Sequence, residues 1–260
     1  MKTSVANSSE TPYSVRAVQR VLDILDLLQD SPQGASLGDI ALAAGLPKSS
    51  TFRYLATLEV RRYVGRDPTS GNYRLGLALL PLHTRHLQAL TARARPYLEE
   101  LRDRFQETIN LGALDGNRVV YLEILESPKA MRLAARPGDR HPIHSTALGK
   151  ALAAQLPQQE VHRILAAEGM AKLTPRTITD REEFVKVLGH VRRSGFAVDN
   201  GENEDGGRCV AVAIPGGHLR LAISLSAPAV RFSLSGVEAV GAELIRAAHR
   251  FAGELGEAAA

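Results

Sequence analysis

The chain has 260 residues, 44% hydrophobic and 23% charged, with a formal net charge of +4; this is apolar material enough for the cores of one or two domains. No run of about 18 apolar residues occurs, which excludes a membrane-spanning helix, and the single cysteine, Cys209, excludes an intrachain disulfide and suits a reducing, cytoplasmic compartment. The eight histidines have no clustered cysteine partners, so neither a metal site nor a cofactor is expected.

The first segment, MKTSVANSSETPYS, is polar and lacks the apolar core of a secretory signal. Residues 1–13 are read as a disordered lead-in. From Val15 to Leu28, apolar residues at Val18, Val21, Leu22, Leu25 and Leu28 recur at helical spacing. Asp30, Ser31, Pro32 and Gly34 end that helix. Ser36, three residues before Asp39, resembles a capping box with a shortened acidic partner and starts a second helix. Gly45 ends it, Leu46 plugs the core, and Pro47 suits the first turn of a third helix running to about Val60.

That third helix divides its surface. Thr51, Leu55 and Leu58 lie on one side, and Ser49 and Arg53 on the other, flanked by Ser50, Phe52 and Thr57. Tyr63 and Val64 begin a strand, Asp67 to Gly71 turn, and Tyr73 to Leu75 return. Two helices across a glycine turn, followed by a basic hairpin, are written as a winged helix-turn-helix over residues 14–76. The charge agrees. Between residues 45 and 76, Lys48, Arg53, Arg61, Arg62, Arg66 and Arg74 stand against Glu59 and Asp67. That surplus equals the net charge of the whole chain, and so localised a basic patch is the footprint of a phosphate-backbone binder. The expected contacts with double-stranded DNA are Lys48, Ser49, Ser50, Phe52, Arg53 and Thr57 on the helix, and Arg66 and Arg74 on the wing. Arginine takes both acceptors on a guanine edge, and hydroxyls reach phosphates or bases.

Residues 77–94 are expected to form a linker helix, and Arg95-Pro96 to open a separate one. The period then shortens. INLGALDGNRVVYLEIL alternates around a hairpin signal at Asp115-Gly116-Asn117. Further strands are expected over Met131–Ala135, from Gly195 to Asp199, over Arg208–Ile214 and over Arg220–Ser226, the last two joined through Pro215-Gly216-Gly217. Helices are expected over Ala147–Gln155, Glu160–Gly169, Asp180–Ser194 and about Ser235–Leu255. This pattern describes an α+β domain over residues 95–255, with a tail at 256–260. Lys150 is read as structural, and the acidic run holding Glu202 and Glu204 as a solvated loop.

The order of the segments LPKSSTFRYLATLE, YVGRDP, YRLG, RPYLEEL, NLGALDG, VVYLEILESP, HPIHSTALGKALAA, GFAVDNGENEDGGRCVAVAI and AISLSAP closely resembles the IclR family of bacterial transcriptional regulators, over about residues 14–255. The resemblance implies a winged helix-turn-helix joined by a linker helix to a GAF/profilin-like α+β effector-binding domain. It also implies a homodimer or a tetramer built as a dimer of dimers. It further implies a regulator, taken here as a repressor and not an enzyme, whose DNA affinity is changed by a small organic-acid effector. Carried onto this sequence, Thr146, Ala147 and Leu148 form the loop wall of the effector pocket. Asp199, Cys209, Ser224 and Ser226 form its polar floor; the two serines alternate along one strand and so face the same side.

Two other readings stand beside this one. Cys209 is a candidate redox sensor on the same DNA-binding protein, which requires a basic setting that lowers the thiol pKa. A small-molecule hydrolase built on His144, Ser145, Asp199 and Cys209 lacks a nucleophile-elbow pattern or a metal set.

Overall fold

The computed structural model describes residues 14–216 and 219–257. The expected lead-in, Gly217 in the turn between the last two strands, and residues 258–260 lie outside them. The chain divides into two compact units, Met1–His86 and Leu87–Ala260.

The first unit contains α1 (Arg16–Gln29), α2 (Leu37–Ala43), α3 (Lys48–Val60), β1 (Val64–Arg66) and β2 (Tyr73–Leu75). Ile24 and Leu28 of α1, Ile40 and Ala44 around α2, Leu55 and Leu58 of α3, and Val64 and Tyr73 of the hairpin form one core. The apolar arc of α1 is wider than that core. Val21 and Leu25 pack on it, but Val18 and Leu22, expected on the buried side, are exposed at 55% and 52%. Ser36 caps α2 by accepting from Asp39 N, while its hydroxyl donates to the Asp39 carboxylate at 2.6 Å. The reciprocal bond of a full capping box is replaced by this one, in keeping with the short aspartate. At the other end Gly45 takes φ +61°, Leu46 N donates to Ala41 O and Gly45 N to Leu42 O. That is the Schellman arrangement. Pro47 is the N-cap of α3, one position before the expected one.

In the second unit the strands β3 (Thr108–Asp115), β4 (Arg118–Leu125), β5 (Arg140–Pro142), β6 (Ala197–Asn200), β7 (Gly207–Ile214) and β8 (Leu221–Pro228) form one antiparallel sheet in the order β5-β4-β3-β8-β7-β6. Asp115 pairs with Arg118 across the two-residue loop Gly116-Asn117, with φ +59° at Gly116. One face of the sheet carries Ile109, Leu111, Val210, Val212, Ile223 and Leu225. Against it pack Leu98 and Leu101 of α4 (Leu80–Phe105) and Leu244, Ala248 and Phe251 of α8 (Val237–Glu257). The other face carries Val119, Ala197, Ala211 and Ala222 against α5 (Ala147–Ala153), α6 (Gln158–Glu168) and α7 (Arg181–Ser194). Small residues there let α5 lie close. A Cβ on Gly149 would stand 2.5 Å from the backbone of Ile143, and Gly112 lies under Leu148.

Two expectations are corrected. The linker helix and the helix after Arg95 are one element, α4, with Pro96 inside it. Proline forfeits one helical hydrogen bond, yet Ala94, Leu98 and Leu101 bury on both sides of it and hold the axis. The division between the two units falls within α4. Met131–Ala135 is not a strand; it crosses as irregular chain between β4 and β5, and the edge of β4 pairs with the unforeseen β5 instead.

Candidate DNA-binding and effector sites

On α3 the buried residues are Thr51, Leu55 and Leu58. Ser49, Phe52, Arg53, Thr57 and Val60 lie exposed at i, i+3, i+4, i+8 and i+11, one continuous stripe on the opposite side. Lys48 is exposed at the helix start, and Ser50 is half-buried. Among the described residues nothing accepts a hydrogen bond from the Arg53 guanidinium or pairs with it. Thr57 donates its hydroxyl back to the Arg53 carbonyl at 2.8 Å, which leaves its oxygen and methyl outward.

The hairpin beside α3 is firmly built. Asp67 Oδ1 accepts from the backbone N–H groups of Thr69 and Ser70 at 2.9 and 2.8 Å. Those bonds, Ser70 first, hold its carboxyl below the usual carboxylate range. Arg66 donates to Gly71 O and stacks 5.5 Å from the Tyr73 ring centroid, while Arg74 lies 3.3 Å from Asp67. Both wing arginines are thus exposed but partly tied to the hairpin. Arg62, counted in the basic patch but not among the expected DNA contacts, has φ +59° at the position after the cap of α3 where glycine is usual. Its backbone is locked: Arg62 N donates to Glu59 O, Tyr63 N to Leu58 O, and a Cβ on Gly76 would meet the Arg62 carbonyl oxygen at 2.1 Å.

In the second unit, sheet register sets three expected floor residues in one row. Asp199 on β6 faces Cys209 on β7, which faces Ser226 on β8. They line a cavity of about 70 Å³. The remaining wall comes from Asn110 and Tyr121 on β3 and β4, from Leu133 to Ala135, from His141, and from Asn203 and Glu204 in the loop after β6. Ser224 is not in the wall; it sits two residues further along β8, where its oxygen accepts from Asn110 Nδ2 at 3.0 Å. The loop residues expected to form the wall lie elsewhere. Thr146 caps α5 by accepting from Gly149 N at 3.0 Å, and Ala147 and Leu148 are buried in the apolar core of that side. An apolar helix start that packs on a sheet has its side chains spent on the core.

The loop after β6 is anchored from below. Lys150, 1% exposed, donates to both Glu202 carboxylate oxygens at 2.5 Å and to Val198 O at 2.8 Å. Glu202 is therefore a buried ion-pair member and not part of a solvated run. Thr174 and Thr177 donate to the carbonyls of Gly201 and Glu202, each at 2.6 Å. Asn203 Oδ1 accepts from Ser145 Oγ at 3.0 Å. Asp199 Oδ1 accepts from Glu202 N at 2.7 Å, but burial outweighs this and raises its carboxyl to about 6.

These surroundings disfavour the two other readings. Desolvation pushes the Cys209 thiol up, with Asp199 adding to the shift. It stays protonated, where a redox sensor needs the thiolate. His144 Nε2 lies 3.1 Å from the Ala171 carbonyl, and Ser145 is bonded to Asn203, so neither serves the other. Asn110, Tyr121, His141 and Asn203 escaped the residue-type reading. Only Asn110 carried a signal, as a lone amide in an apolar strand.

A sequence model of the IclR helix-turn-helix domain matches residues 17–68, and one of the bacterial transcriptional regulator IclR C-terminal domain matches residues 83–252. Among curated relatives, the HTH-type transcriptional regulator XynR of Escherichia coli K12 is 36% identical over 214 residues, 82% of this chain and 85% of that protein. The regulator KdgR of the same organism is 34% identical, over 96% of this chain and 97% of its own length. Among solved structures, an IclR homologue complexed with 4-hydroxybenzoate, from Microbacterium hydrocarbonoxydans, aligns at TM-score 0.79 and 26% identity, covering 92% of this chain and 98% of that one.

Proposed function

From the premise that the chain belongs to the IclR family and is a DNA-binding transcriptional regulator with a C-terminal ligand-binding domain, we propose that it is a repressor released or tightened on its operator by one small organic molecule held beside the Asp199–Cys209–Ser226 row. The observation that carries this reading is the separation of the two devices. The outward stripe of α3 belongs to the first unit, and the cavity to the second. A bound 4-hydroxybenzoate in the Microbacterium relative supports a hydroxylated organic acid as the effector class.

On this reading Ser49, Ser50, Phe52, Arg53 and Thr57 enter the major groove, and Lys48, Arg66 and Arg74 hold phosphates. The regulator works in the cytoplasm as a homodimer or as a dimer of dimers. The exposed apolar residues Val15, Val18 and Leu22 give a surface that suits a second copy. No helix of the described residues is long and apolar enough to cross a membrane. The test is selection of genomic fragments by the purified protein, followed by transcription from a selected promoter in vitro. Repression that an added metabolite reverses or deepens supports the proposal. Failure to retain any fragment, or activation alone, sinks it.

A further inference from the structure

Two parts of the cavity wall come from outside the sheet, and they are held differently. Leu133 to Ala135 line one side, and no backbone hydrogen bond reaches those three among the described residues. Asn203 and Glu204 line the other, in the loop after β6. That loop is tied at three successive residues. Gly201 O accepts from Thr174 Oγ1 and Glu202 O from Thr177 Oγ1, Glu202 N donates to Asp199 Oδ1, and Asn203 Oδ1 accepts from Ser145 Oγ. The Glu202 carboxylate accepts from Lys150 Nζ, which also donates to Val198 O.

The last of these ties is the costly one. No lysine or arginine besides Lys150 is buried among the described residues, and Glu202 is 8% exposed. The helix neighbours of Lys150, Leu148, Ala151 and Leu152, belong to the apolar core. Taking two charges out of water can cost more than their attraction returns, and a neutral pair of similar volume is often as stable or more so. Removing one partner alone is a different matter, because it strands the other charge. Fold stability therefore does not account for the pair, whereas geometry does. The three hydrogens of the ammonium are spent on the two carboxylate oxygens and on Val198 O. That fixes Glu202 against both α5 and β6, and Asn203 and Glu204 follow it directly in the chain. Resting on the reading of this cavity as the effector site, we propose that Lys150 is a positioning residue of that site. Through Glu202 it sets where Asn203 and Glu204 stand in the wall, and it adds little to the stability of the fold.

The test compares the full-length wild type with Lys150→Met, Glu202→Gln and the double variant, by thermal melts and by amide hydrogen exchange read on peptides. The double variant is expected to melt within about 3 °C of wild type, and each single variant to melt below the double. In the double variant, exchange across residues 199–207 is expected to rise about tenfold or more, while the β8 peptide 221–228 is unchanged. In wild type the same loop should exchange more slowly than residues 131–136. If the double variant does not fold, Lys150→Met with Glu202→Leu, which leaves no buried amide, is measured in its place. Unchanged loop exchange in a stable double variant would overturn the proposal, as would wild-type exchange as fast in the loop as in 131–136. A double variant that melts below both singles, with β8 exchanging faster as well, would make the pair a stabiliser of the fold and overturn its positioning role; so would failure of both double variants to fold. No ligand enters these measurements, so their outcome is separate from whether the cavity is the effector site, which the transcription test decides.

Discussion

Arg53 stands on the outward stripe of α3 with an unengaged guanidinium, so its removal costs the fold little and the interface much. Arg53→Ala is expected to weaken operator binding by about 1–3 kcal/mol, the range of a bidentate base contact, with an unchanged melting curve. Retardation of operator DNA equal to wild type at matched salt would remove Arg53 from the interface. Asp199 gives a pH prediction. Its carboxyl rises from 3.8 to about 6, chiefly through burial. The folded protein thus binds this proton more tightly than the unfolded chain, and the site adds stability as pH falls from about 6 towards 4, with the penalty present above that window. A rise of that size corresponds to roughly 3 kcal/mol. Asn in its place still accepts from Glu202 N and carries no charge. Urea unfolding at pH 7 and pH 4.5 is expected to show a gain on acidification that Asp199→Asn lacks, by roughly 2 kcal/mol. The same change with pH in both proteins would remove Asp199 as its source.

At the scale of elements, the join between α3 and the wing is the tightest place in the first unit. Arg62 holds a left-handed backbone that costs an L residue about 1–2 kcal/mol, and Gly76 packs against its carbonyl with no room for a Cβ. Gly76→Ala is expected to lower the melting temperature of the first unit by displacing β2, and to leave the transition of the second unit in place. Two unchanged transitions by differential scanning calorimetry would contradict it. Arg62→Gly should instead stabilise that unit by a few tenths to about 1 kcal/mol and weaken DNA binding through the lost charge. A variant less stable than wild type would mean that the arginine side chain packs. The helix ends were legible because capping is local chemistry: Ser36, Gly45, Asp180 and Gly195 stop or start helices where their side chains or φ values permit. Pro96 misled because its local penalty is outweighed by burial of Leu98 and Leu101 on the sheet, a term that no local reading contains.

For the whole molecule, recognition and response are expected to come apart by mutation. Operator affinity should fall steeply with salt, as counterions are released from each neutralised phosphate, and footprints should show paired half-sites. A flat salt dependence would count against the winged domain as the binding surface. Ser226→Ala is expected to bind the operator as wild type does and to respond weakly to effector, because an effector acts only through differential affinity for two states. Full response would move the pocket elsewhere. Periodicity, turn residues and the placement of charge determined by themselves that this chain carries a winged helix-turn-helix before an α+β domain, since helix stripes, caps and basic patches are written within a few neighbouring residues. The membership of the cavity was a tertiary decision. Sheet register set Asp199, Cys209 and Ser226 in one row and brought Asn110 and Tyr121 beside them from strands about a hundred residues away in sequence. Packing of α5 took Ala147 and Leu148 into the core. A burial term summed over distant segments chose between those outcomes, and no window of sequence contains it.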